Sequence, residues 1–319
     1  MTRSKAQYLA LALALITLVG CNRSTKKQIA VIPMGRSHVY WVSAHAGAVK
    51  AAREDNVDIL WNGPATESDY SGQLQIVENM INQHVDVICL APIDRKALAN
   101  AVDRASAAGI PVVIWDSPVD SKNFVAQIAT DNYAAGQLGA DRMGEILKGK
   151  GKIVEVACQP GSASTMAREQ GFEDKIKAAY PGIQIVDKRY GMADVAKSMT
   201  VAENMLTAFP DLDGMFGSNE SSTVGAARAL TSSKSKVKLV GFDSSPTLIE
   251  GLKDGVIDSL VTQNPFDMGY KSVKAAISKL NGGTLEQIQK LPAVVVTKAN
   301  LDEPAIHSRL FPDLDQYLK

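Results

Sequence analysis

From Gln28 onward, short aliphatic runs alternate with longer helical patterns almost without a break. Such a pattern folds into stacked βαβ units around mostly parallel sheets, which excludes all-helical and all-β architectures at the outset. Strands are expected at Gln28–Met34, Val57–Asn62, Val85–Pro92 and Ile110–Ser117 in the first half, and at Lys152–Cys158, Ile183–Tyr190, Gly214–Asn219 and Val237–Ser244 in the second. Runs such as Val85 to Leu90 and Pro111 to Trp115 suit strands covered by helices on both faces. A helix is expected over Asp94–Ala108, with Leu98, Ala101, Val102 and Ala105 on one stripe and a stop at Gly109 to Pro111. A chain of 319 residues exceeds what one core usually organises, so two lobes are expected from size as well.

The second half repeats the design of the first. Ile114-Trp115-Asp116-Ser117 ends one strand and Gly241-Phe242-Asp243-Ser244 ends its counterpart. Downstream of each lies a crossing segment, Ala129-Thr130-Asp131-Asn132 and Val261-Thr262-Gln263-Asn264, and a third crossing is expected around Lys290–Pro292 before a strand at Ala293–Lys298. The expected fold is therefore α/β, with two similar doubly wound parallel-sheet lobes joined by hinge crossovers. Residues 28–129 with 264–290 would form the first lobe, and 130–263 with 291–319 the second. Parallel sheets present ligands at the carboxyl ends of their strands, so Asp116 and Asp243 should face one another across the cleft. A lone Asp after a strand is commonly a helix N-cap. Two in matched positions, each behind an aromatic residue, argue for the cleft.

A pocket for a polyhydroxylated ligand needs fixed carboxylates, amides and a guanidinium, with flat aromatic rings for the apolar face of the sugar. Each class stands near an expected strand end. His38, Tyr40 and Trp41 follow the first strand, and one of the two aromatic rings is expected to stack on the ligand. Arg168 lies in the first turns of a helix, Asn219 closes a strand, and Gln263 sits on a crossing. No nucleophile elbow, metal-ligand spacing or phosphate loop is present, so neither an enzyme nor a metal or organic cofactor is expected.

The first 21 residues read as an address. Arg3 and Lys5 precede an apolar run from Tyr8 to Ile16, and the segment ends Leu18-Val19-Gly20-Cys21, which resembles a bacterial lipobox with Cys21 as the lipidated residue. Residues 22–27 then form a polar tether to a membrane. The 34 basic and 34 acidic residues become 32 and 34 once Arg3 and Lys5 are removed, so nothing attracts nucleic acid. Cys89 and Cys158 lie in aliphatic runs and are expected as packed thiols.

From about Gln28 to Lys298 the chain resembles the ribose-type periplasmic binding proteins, whose fold is shared by the sensory half of lactose-repressor-type regulators. The resemblance is carried by Ala91-Pro92-Ile93-Asp94, Gly109 to Asp116, Arg168-Glu169-Gln170-Gly171-Phe172, Phe216-Gly217-Ser218-Asn219, Val240-Gly241-Phe242-Asp243 and Thr262-Gln263. It implies a type I periplasmic-binding-protein fold and ligand-binding roles for Asp116, Arg168, Asn219, Asp243 and Gln263, with Tyr40 and Trp41 in the place of stacking aromatics. The chain departs from the ribose pattern at four places: His38 and Ala91 replace two Asn, Ser117 replaces an Arg, and Met192 or Ala193 replaces a third aromatic. The segment Asn62 to Gln73 and the ending Trp115-Asp116-Ser117 also resemble binders of rhamnose and autoinducer-2, which differ at Arg168 and Asn219. The resemblance implies a monomeric substrate-binding lipoprotein, periplasmic or at the cell surface, that closes on a monosaccharide or similar polyol and docks on the permease of an ABC transporter. A DNA-binding regulator would need a helix-turn-helix ahead of the first strand. A sensor presenting its ligand to a receptor would use the same closed lobes.

Overall fold

The structure is a computed structural model, and it describes residues 26–319. The expected signal segment and Cys21 lie outside the described residues. The chain runs β1 (Gln28–Ile32), α1 (Val39–Glu54), β2 (Asp58–Trp61), α2 (Tyr70–Asn82), β3 (Val87–Leu90), α3 (Ala99–Ala107), β4 (Val112–Trp115), β5 (Ala126–Thr130) and α4 (Asn132–Ile146). It continues through β6 (Lys150–Ala157), α5 (Ala163–Ala179), β7 (Gly182–Tyr190), α6 (Val195–Ala208), β8 (Gly214–Gly217), α7 (Glu220–Ser233), β9 (Lys238–Phe242), α8 (Pro246–Asp254), β10 (Ser259–Thr262) and α9 (Pro265–Leu280). It finishes with β11 (Ile288–Leu291), β12 (Val294–Thr297), α10 (Pro304–Leu310) and α11 (Asp315–Leu318).

Two six-stranded sheets result, ordered β11-β5-β4-β3-β1-β2 and β12-β10-β9-β8-β6-β7. The orders correspond strand for strand, and every pairing is parallel except β10 with β12. Both faces of each sheet are buried. In the first, Ile29, Val31, Val87, Cys89, Val113 and Trp115 pack on one side, while Ala30, Ile32, Ile88, Leu90, Val112 and Ile114 pack on the other. This two-sided burial is why the strands read as continuous aliphatic runs. Cys89 and Cys158 are free and buried, as expected of packed thiols.

The chain exchanges helices between the lobes. After β5 of the first sheet, α4 packs on α5 beside the second; after β10 of the second sheet, α9 packs on α1 beside the first. Each pair approaches backbone to backbone through glycines. A Cβ on Gly47 would stand 1.9 Å from the Phe266 carbonyl oxygen, and one on Gly171 2.1 Å from that of Tyr133. Gly136 and Gly269 make the reciprocal approaches, 1.9 Å from the Arg168 oxygen and 2.0 Å from that of Ala44. Gly47 and Gly171 are each the ninth residue of their helix, Gly136 and Gly269 each the fifth.

Several boundaries differ from the sequence reading. Asp94 caps a turn with its own carboxylate, Oδ1 accepting from the N–H groups of Lys96 and Ala97 at 2.8 Å, so the regular helix begins only at Ala99. The crossings begin as strands β5 and β10, and their match shifts by one residue. Asp116 N–H donates to Ile128 O, and Asp243 N–H to Val261 O, both at 2.9 Å. Asp131 and Asn264 then correspond as N-caps of α4 and α9, which makes Thr130 the counterpart of Gln263. Pairing the two threonines by identity misses this, because cap chemistry and ladder register set the correspondence. The tail also divides. Ile306 of α10 joins the second-lobe core, whereas α11 returns to the first lobe. There the Arg53 guanidinium, in the last turn of α1, donates to the carbonyls of Gln316 at 2.8 Å and Tyr317 at 2.9 Å. Residues 291–319 are thus not confined to the second lobe.

Candidate functional site

The carboxyl ends of the two sheets meet around one narrow cavity, whose free space counted out to open solvent is about 350 Å³. All eight residues singled out from sequence line it: His38, Tyr40, Trp41, Asp116, Arg168, Asn219, Asp243 and Gln263. Asp116 and Asp243 both adopt the left-handed conformation, with φ of 63° and 69°. Asp is one of the few non-glycine residues that tolerates it. The reversal directly after β4 and β9 delivers each carboxylate to the cavity.

Arg168 is held from behind. Its Nε donates to Asn132 Oδ1 at 2.7 Å, Nη1 to the Ser218 carbonyl at 3.1 Å, and the guanidinium lies 4.3 Å from the Phe242 ring centroid. Nη1 is also 4.0 Å from Asp243 Oδ2. Asp243 accepts from Gln263 Nε2 at 2.6 Å and from the backbone N–H of Glu220 at 2.9 Å. Asn219 caps α7 through Ser222 N–H at 3.1 Å while lining the cavity. Tyr40 donates its hydroxyl to Asp116 at 2.5 Å, and Trp41 its Nε1–H to Glu67 at 2.7 Å. The two rings meet edge to face, 4.8 Å between centroids, and both are almost wholly buried.

Sequence reasoning missed Glu67, Glu220, Met34, Ser162, Ser164 and Thr165, which also line the cavity. Ser162 had a findable signal, since it is the N-cap of α5 as His38 is of α1. With Glu67 and Glu220 the lining holds four carboxylates against the cations of Arg168 and His38. Burial pushes Asp116 up to about 6 and Glu220 up to about 7, against the opposing pull of Arg168 and His38 respectively. Asp243 and Tyr40 are likewise raised, chiefly by burial. For His38 burial works downward, yet the Glu67 hydrogen bond and the nearby Glu67, Glu220 and Asp243 charges raise it to about 9. The lining is thus rich in fixed acceptors, with donors at Arg168, His38, Asn219 and Gln263, the complement of a ligand bearing several hydroxyl groups.

The lobes touch around this cavity. Ser164 N–H donates to Ser117 Oγ at 3.1 Å, Arg95 N–H to Gly161 O at 3.0 Å, Gln159 Nε2 to Glu67 O at 2.7 Å and Tyr40 N–H to Glu220 Oε2 at 3.4 Å. At the crossings Thr130 Oγ1 donates to Gln263 Oε1 at 2.7 Å. Ser117, the departure from an expected Arg, therefore serves the contact between lobes.

Fold and site together define a two-lobed α/β protein of the kind that encloses a small ligand between matching halves. Residues 29–284 match the family described as a periplasmic binding protein domain, and the chain belongs to that family. It is similar to the ribose import binding protein of Bacillus subtilis (strain 168), with 28% identity over 307 residues covering 92% of this chain and 99% of that one. A carbohydrate transporter solute-binding protein from Agrobacterium radiobacter, solved in complex with D-arabinose, superposes with a TM-score of 0.88 at 32% identity, covering 90% of this chain and 99% of that one. An ABC transporter solute-binding protein from Agrobacterium vitis with bound D-fucose gives 0.87 at 36% identity, covering 89% and 100%. The expectation of a ribose-type periplasmic sugar-binding protein with the type I fold is met.

Proposed function

We propose that this chain is the substrate-binding component of a sugar ABC importer, closing its lobes on a monosaccharide and delivering it to a membrane permease. The observation that carries the reading is the convergence of Asp116 and Asp243, from corresponding strand ends of the two lobes, on one polar cavity with Arg168. The sugars bound by the similar proteins support it. Asp116, Arg168, Asn219, Asp243, Gln263 and His38 would bond ligand hydroxyls, and Tyr40 and Trp41 would supply the aromatic wall. Residues 28–129 with 264–290 would move as one lobe and 130–263 with most of the remaining chain as the other, about hinges at Thr130-Asp131, Gln263-Asn264 and Lys290–Pro292.

In this reading the protein binds without chemical turnover, acts as a monomer in the periplasm or at the cell surface, and is tethered to a membrane by lipid on Cys21. No helix among the described residues is long and apolar enough to cross a membrane. Ligand adds contacts to the second lobe only when the cleft is shut, so differential affinity for the closed form drives closure. Calorimetric titration of the chain from residue 22 onward with D-ribose, D-arabinose, D-fucose and xylitol tests the reading. Saturation by at least one sugar, recovered unchanged, is expected; absence of binding to all, or conversion of a sugar, would refute it.

A further inference from the structure

We propose that Glu67 reads a ligand hydroxyl directly and also fastens the second lobe, so that specificity and closure meet in one residue. The inference rests on the sugar-binding reading above and concerns a position in the Asn62 to Gln73 segment that the resemblance left without a role. Glu67 is 8% exposed and lines the cavity. Both hydrogen bonds to its carboxylate fall on Oε1, from Trp41 Nε1 at 2.7 Å and His38 Nδ1 at 2.5 Å. The carboxylate is thereby fixed, while Oε2 has no protein donor among the described residues. A Cβ on Gly35 would stand 3.0 Å from Glu67 Cγ, so the glycine leaves the room that this side chain occupies.

His38 completes the arrangement. Its Nδ1 faces a carboxylate and must carry a proton there; as the cation favoured by Glu67, it also carries one on Nε2, on the opposite side of the ring. Oε2 is then a free acceptor and Nε2–H a free charged donor on two residues that line the same cavity, which suits hydroxyl groups of a bound ligand. The second lobe reaches the same residue through its backbone. Gln159, buried in the segment after β6, donates Nε2–H to the Glu67 backbone carbonyl at 2.7 Å. Gln159 is not among the cavity-lining residues, so the fastening and the reading can be disturbed separately.

The test is calorimetric titration of wild type, Glu67→Gln and Gln159→Ala with D-ribose, D-arabinose and D-fucose, and with the single-deoxy analogues and epimers of whichever sugar binds most tightly. In wild type, loss of the hydroxyl read by Glu67 should weaken binding by about 10- to 100-fold, as for a hydrogen bond to a charged group. In Glu67→Gln that ratio should fall to within about 3-fold while the ratios at the other hydroxyls persist. Gln159→Ala should weaken every sugar by one common factor of about 3 to 10 and leave all ratios unchanged, the mark of uniform binding. A merely structural Glu67 would give the common factor instead, and that result in Glu67→Gln, or no change at all, overturns the inference with the sugar-binding reading intact. Should Glu67→Gln not fold, His38→Gln is read for the same loss at the same hydroxyl. If wild type binds none of the sugars, both readings fall together.

Discussion

Replacing Gly136 by Ala sets two known effects of opposite sign against each other. Gly136 lies inside α4, where Ala is the better helix former by about 1 kcal/mol. The added methyl, however, would stand 1.9 Å from the Arg168 carbonyl oxygen, 2.8 Å from its carbonyl carbon and 2.9 Å from Phe172 N. All three atoms are backbone, so no rotamer change relieves the clash. An ordinary carbon–oxygen contact is about 3.3 Å, so α4 and α5 must separate by more than about 1 Å. Overpacking of this kind costs about 1–3 kcal/mol or more and should outweigh the propensity gain. Because the displaced turn carries Arg168 itself, sugar affinity should fall by about 10-fold or more, the worth of one charged hydrogen bond. Gly251→Ala in α8 is the control, since its methyl would meet only the Ile257 side chain, at 3.0 Å. Urea unfolding followed by circular dichroism should show a lower midpoint for Gly136→Ala and an unchanged or higher one for Gly251→Ala. Equal midpoints for the two variants would refute the claim that backbone contact, and not helix propensity, governs this interface.

Three further outcomes follow from the buried charges. Arg168→Ala leaves Asn132, the Ser218 carbonyl and Asp243 without their cation, and Asp243→Ala strips Gln263 and the Glu220 N–H of an acceptor; each should weaken sugar binding by about 2–5 kcal/mol in calorimetry. Asp116 has a folded pKa of about 6, above its ordinary value, so the stability it contributes is present below about 4 and is lost as pH rises through about 6. Sugar hydroxyls favour the ionised form, so affinity should move the other way and fall as pH drops through about 6; subtracting the Asp116→Asn profile isolates both trends, and parallel trends would contradict them. Glu155 in β6 is fully buried, with neither carboxylate oxygen bonded among the described residues, and burial raises its pKa far above the ordinary range. Glu155→Met should raise the urea stability by about 1–3 kcal/mol, and a loss would reveal a partner for this acid.

The sheets were legible because two-sided burial forces continuous aliphatic strands, and the cavity was legible because Asp116 and Asp243 recur behind an aromatic in both halves. The exchanged helix pairs were written in the sequence as Gly47, Gly136, Gly171 and Gly269, yet a glycine inside a helix announces a close approach without naming what approaches. Glu67 was hidden for a different reason. It sits in a loop with no periodicity, and its importance comes from His38, Trp41 and Gln159, which lie up to 92 positions away. Glu220 resembled an ordinary first-turn acid of α7, and only the fold brings Tyr40, 180 positions distant, to its carboxylate. The misaligned crossing shows the same limit, since identity favoured Thr130 with Thr262 while hydrogen-bond register pairs Thr130 with Gln263.

That corrected pairing bears on how closure reaches the ligand. Thr130 and Gln263 occupy equivalent places in the two halves and bond each other, so they lie at the local twofold between the lobes. Gln263 spends its carbonyl on this bond and one amide N–H on Asp243, so the proposed hinge would lie one hydrogen bond from a cavity carboxylate. Rotation of the lobes about the crossings would have to turn Gln263 or break one of the two bonds. In a buried setting an unmade bond of this kind costs about 1–3 kcal/mol, which disfavours intermediate angles relative to arrangements that keep both. In the proposed reading, the orientation of the Asp243 carboxylate and the angle between the lobes would therefore be set by the same side chain.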